Sequence, residues 1–201
     1  MIKTSLLGFL LVTLLPGGAW AQGVQNMDIS ILAGGRSVQS RVVPGSNATV
    51  YGTALAGQAI GYGYQVARTS AASLWLEYGS SLWFDGASTA SLPGSVSNEM
   101  GLYTLGVRFM VPVQSRISAY GALGGGGGNF HYDVTVAEPS PHVTANSTHH
   151  GVFDFGGGVD IRLTRRISIR GEVRDFVSGA GLSGATGVHH VLPVVGVALH
   201  F

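Results

Sequence analysis

Five carboxylates and four arginines recur where the residues around them alternate between apolar and polar. They are Asp28, Glu77, Asp154, Asp160 and Glu172 against Arg108, Arg162, Arg170 and Arg174. Paired carboxylates can serve general acid–base catalysis. A near-equal mixture of the two signs points instead to mutual neutralisation, because charges withdrawn from water need partners and an Arg–carboxylate fork satisfies both. The nine residues therefore read as a structural charge network. Glu172, between Arg170 and Arg174 on one face, is expected near its centre.

Other candidates for chemistry are weaker. His131, His142, His149, His150, His189 and His190 cluster, and imidazole is a common metal ligand. Their spacing fits no zinc signature, and adjacent His-His pairs project to opposite faces of a strand. They read as solvated loop residues. Ser147 and His149 could form a nucleophile–base pair if extended. They lie in a Ser/Thr/Asn-rich tract with no surrounding motif. "GGGGGNF" (124–130) lacks the Gly-Lys-Ser/Thr ending of a phosphate loop and reads as a flexible neck. The chain has no cysteine, which removes disulfides, thiolate metal sites and Cys nucleophiles. No catalytic, cofactor-binding or metal-binding residue is expected, and no cofactor.

The elements that carry the charges share one pattern. "MDISILAGG", "QAIGYGYQV", "SLWLEYGSSLWF", "LYTLGVRFMV", "RISAYGALG", "VFDFGGGVDIRL", "RISIRGEVRDF" and the terminal "HHVLPVVGVALHF" each alternate with period two. Eight such segments separated by turn signals match a transmembrane β-barrel. The links alternate in length. Long ones fall near 36–54, 85–98, 126–150 and 178–188; short ones are 67–72, 112–115 and 164–166. That phase fits periplasmic termini, short periplasmic turns and longer extracellular loops.

The faces decide the orientation. In a soluble barrel the apolar face points inward. Here the apolar faces are almost free of charge, whereas the opposite faces combine glycine with Asp, Glu and Arg. An eight-stranded barrel leaves an interior that side chains just fill, where glycine makes room. The sequence is therefore read inside out, apolar face to lipid and polar face to the lumen. Glycine is abundant, at 32 residues, and charged residues are only 10% of the chain. Beyond Lys3 the basic residues are all arginine and balance the acids, so nothing resembles the footprint of a nucleic-acid binder. At the start, Lys3, an apolar run from Leu6 to Leu15 and Ala19-Trp20-Ala21 form a signal peptide, too short to span a bilayer. Residues 1–21 are expected to be removed, leaving 22–201 as one barrel domain.

With "RISIRGEVRDF" and the closing Phe201 in view, the chain resembles the small eight-stranded outer-membrane barrels, the group of the OmpA membrane domain and the opacity-type proteins. Such proteins often carry a penultimate strand like Ile167, Ile169, Arg170, Glu172, Val173 and Arg174. They end on an alternating strand, here Val197, Leu199 and Phe201, which the barrel-assembly machinery reads. The resemblance implies an all-β, antiparallel up-and-down transmembrane barrel behind a cleavable signal peptide. It implies a bacterial outer-membrane location, contact with outer-membrane lipid and lipopolysaccharide, and a monomer. The expected role is non-enzymatic: a charge-plugged barrel serving envelope integrity or surface interaction through its loops. A narrow or gated pore is the second reading, and a lipid A-modifying enzyme the third.

Overall fold

The structure, a computed structural model, describes residues 25–37, 41–42, 49–51, 54–89, 94–136, 142–179 and 188–201. The expected signal peptide lies outside them. Among the described residues the regular elements are strands: β1 (Met27–Ser37), β2 (Arg41–Val42), β3 (Thr49–Tyr51), β4 (Ala54–Arg68), β5 (Ser73–Thr89), β6 (Gly94–Gln114), β7 (Ile117–Val136), β8 (His142–Arg162), β9 (Ile167–Ser178) and β10 (Val188–His200). β1 pairs antiparallel with β4 on one side and with β10 on the other. From β4 to β10 each strand pairs antiparallel with the next. β1 and β4–β10 thus close an eight-stranded up-and-down barrel. At the seam the Met27 and Phe201 amides donate to each other's carbonyls, both at 3.0 Å. Closure satisfies the strand edges, as a lipid surroundings demands.

Two of the three short turns are held by their own hydroxyls. Thr69 Oγ1 accepts from the amides of Ala71 and Ala72, and Thr164 Oγ1 from those of Arg166 and Ile167. Two long links are shorter than their sequence suggests. β5 and β6 pair to Ser88↔Ser95, and β7 and β8 to Val136↔His142. The glycine run 124–130 therefore lies inside β7 and is not a flexible neck, and His149 and His150 lie in β8 rather than in a loop. Backbone pairing continues where no lipid imposes an apolar outer face, so the alternation that marks a strand in the sequence fades before the strand ends.

Side chains divide as the inside-out reading requires. Ile31, Leu105 and Val195 are 62%, 67% and 60% exposed, while Asp28, Arg108 and Arg170 are each 1% exposed. A soluble barrel would show the reverse.

Candidate functional site

Strand parity sends Asp28, Glu77, Arg108, Asp154, Asp160, Arg170 and Arg174 into the lumen, where all are buried. They form one continuous chain of ion pairs. Asp28 Oδ2 accepts from Arg108 Nη2 at 2.5 Å and from Arg170 Nη2 at 2.8 Å. Arg170 also donates to Asp160, with Nη2 at 2.9 Å and Nε at 3.1 Å. Arg108 Nη1 lies 3.2 Å from Glu77 Oε2, and Glu77 in turn accepts from Arg174. Arg174 Nη1 reaches Asp154 Oδ2 at 2.6 Å. Strands distant in sequence are thereby cross-braced through the lumen.

The network has an aromatic floor and an apolar ceiling. Towards the short turns, Trp75, Met110 and Tyr120 pack together. The Arg108 guanidinium lies 5.1 Å from the Trp75 ring and 5.5 Å from that of Tyr120. Both are within cation–π range. Towards the long links, Leu32, Trp83, Met100, Leu102, Val152, Leu192 and Val194 form a buried cluster. Glycine makes the space: a Cβ on Gly63 would stand 2.6 Å from Asp28 Oδ1 and 2.7 Å from Arg108 Nη2.

Two expectations about the network need correction. Glu172 is not at its centre. It accepts from the Tyr120 hydroxyl at 2.7 Å and lies 3.6 Å from Arg174 Nε, while Asp28 and Glu77 each bridge two arginines. Arg162 is exposed at the end of β8, beyond the network. The reason is register: β8 and β9 place Asp160 opposite Arg170, so Arg162, two residues on, already stands at the rim. Without it, five carboxylates (Asp28, Glu77, Asp154, Asp160, Glu172) face three arginines (Arg108, Arg170, Arg174). The near balance read from the sequence becomes an excess of acid. The apolar ceiling also went unread, although Trp83 shares a face with Trp75, Glu77 and Ser81.

Each resolved His-His pair splits between the two faces. His190 is buried, with Nε2 at 2.9 Å from Ser178 Oγ and its ring 5.6 Å from Phe130. His150 approaches the same ring at 5.9 Å. Their neighbours point outward: His149 Nδ1 lies 2.5 Å from Asn129 Oδ1, and His189 Nδ1 2.6 Å from Asp175 Oδ2. Among the described residues no group of three or more potential ligands could hold a metal ion. Ser168 Oγ lies 2.8 Å from His200 Nε2, and Asp160 Oδ1 is 4.0 Å from that same nitrogen. A catalytic triad places its two partners on different ring nitrogens and exposes the nucleophile. Ser168 is 0% exposed, so this group is structural.

No protein-family model matches the sequence, and no curated protein matches it closely. Solved structures do resemble it. The outer membrane protein OprG of Pseudomonas aeruginosa superposes with a TM-score of 0.56 at 12% identity, over 89% of this chain and 98% of that one. Ail, the attachment invasion locus protein of Yersinia pestis, gives 0.52 at 12% identity, over 88% and 97%. The protein has the fold of a small outer-membrane β-barrel. The outer membrane protease OmpT of Escherichia coli also superposes, with a TM-score of 0.54 at 8% identity over 88% and 97%. At such identities the likeness is one of fold, and one scaffold carries unrelated activities. In this barrel Val197, Leu199 and Phe201 all face outward, at 46%, 46% and 37% exposure.

Proposed function

We propose that the protein is a monomeric, non-enzymatic barrel of the bacterial outer membrane whose packed lumen is a structural plug. Its termini and short turns face the periplasm, and its long links serve envelope integrity or surface contact among outer-membrane lipid and lipopolysaccharide. The observation that carries this reading is the filling of the lumen by aromatic, charged and apolar layers in succession. Among the described residues, one lumenal cavity of about 40 Å³ is lined in part by Ser81, Thr104, Glu172 and Arg174. That space suffices for a few waters, and the layers around it fill an interior that eight strands leave only wide enough for side chains. Purified protein in planar bilayers should show no steady conductance. A stable porin-like current would overturn the plug and favour the narrow or gated pore. Since carboxylates outnumber arginines in the network, any small leak should select cations.

The non-enzymatic reading is supported by the engagement of His149 with Asn129 and by the burial of Ser168. Mass analysis of lipid A from a deletion strain should match the parent strain; a missing acyl change would replace this reading with the enzymatic one. Assembly supplies a further expected result. Phe201 ends the outward row of β10 and clamps Met27. Deleting it, or Phe201→Asp, should lower outer-membrane insertion and leave chain in the periplasm. Full insertion of the deletion variant would remove the proposed role of Val197, Leu199 and Phe201 as a signal to the assembly machinery.

A further inference from the structure

The short-turn rim carries a concentration of positive charge that the plug does not use. Arg116, Arg162, Arg165 and Arg166 stand on two adjoining turns and Arg68 on the third, all exposed. Among the described residues no exposed Asp or Glu accompanies them there. Asp28 and Asp160, at the same end, are 1% and 4% exposed and bound to Arg108 and Arg170.

The backbone holds these like charges together. The Arg162 amide donates to the Arg116 carbonyl at 2.7 Å, and the His200 amide to the Arg166 carbonyl at 2.8 Å. Fixed neighbours of one sign repel unless an anion lies among them. The position of the rim says where that anion comes from. Val113 and Leu163, 62% and 52% exposed, border the arginines and end the apolar outer belt, with Leu163 beside Arg162. The guanidiniums therefore sit at headgroup level, where a phosphate can be gripped by two N–H groups of one arginine.

We propose that this rim binds the phosphate groups of anionic phospholipids in the leaflet on the short-turn side. The proposal rests on the lipid-spanning reading of the outer face. It is tested by the association of spin-labelled phosphatidylglycerol and phosphatidylcholine with the full barrel in phosphatidylcholine vesicles. Phosphatidylglycerol should be favoured by about threefold or more, and the preference should shrink at high salt. The combined change Arg116→Gln, Arg162→Gln, Arg165→Gln and Arg166→Gln should bring the two lipids close to equal association. Folding of this variant is checked by its heat-modifiable migration in detergent gels. Equal association in the parent, a salt-independent preference, or an unchanged preference in the folded variant would each overturn the proposal. Failure of the parent to show a motionally restricted lipid shell of either kind would instead overturn the spanning reading, and the proposal with it.

Discussion

Asp28→Ala is expected to destabilise the folded barrel by about 3–5 kcal/mol, the usual cost of breaking a buried ion pair by removing one partner. Asp28 Oδ2 is shared by Arg108 and Arg170, and all three residues are 1% exposed. Removing the carboxylate breaks two buried ion pairs at once and leaves Arg108 with Glu77 alone and Arg170 with Asp160 alone, in a space too tight for bulk water. Asp28→Asn should lose nearly as much, since the amide keeps the volume but not the charge. Glu172→Ala should cost clearly less, because Glu172 lies at the margin of the network and its neighbour Arg174 keeps Glu77 and Asp154. Equilibrium unfolding in urea from lipid vesicles measures all three. A loss within about 1 kcal/mol for Asp28→Ala would mean that water reaches the network and screens it.

On the outer face, Val195→Arg should cost about 2–4 kcal/mol if the position lies near the bilayer midplane. Val195 is midway along the outward row of β10 from Phe201 to His189, and its strand neighbours are Ala33 and Gly171. His189, 61% exposed and paired with Asp175, and Phe201 at the other end set polar and aromatic limits to the belt. Among the described residues no outward acid stands beside Val195 to receive a guanidinium, so the arginine must stretch towards an interface. Val195→Ala should change stability far less. Indifference to Val195→Arg in vesicles would place that face in water.

The barrel was legible in the sequence because lipid and a narrow lumen make opposite demands on alternate residues. "QAIGYGYQV" and "LYTLGVRFMV" display that alternation directly, and both are strands with those faces. The alternation loses its meaning outside the membrane, so β7 and β8 run on unseen through the glycine and histidine tracts. The identity of the inward charges was also legible from parity, with Arg162 at the rim excepted. Their partners were not, because Asp28 meets Arg170 across 142 residues only through the stagger of a closed sheet. Stagger is fixed by pairing registers, and a shift of two residues is what separates buried Asp160 from exposed Arg162. The apolar ceiling left a trace in Leu32, Trp83, Leu102 and Leu192, each on a face otherwise small or polar. Reading that face as uniformly polar hid it.

The account turns on which face of the strands meets lipid. The chain contains no cysteine, so single-cysteine variants can carry one spin label each. Labels at Tyr103, Leu105 and Phe109 of β6 and at Val195 and Val197 of β10 should relax rapidly with oxygen and slowly with a water-soluble nickel complex in vesicles. Ready access of the nickel complex to these positions, with little effect of oxygen, would contradict the inside-out barrel.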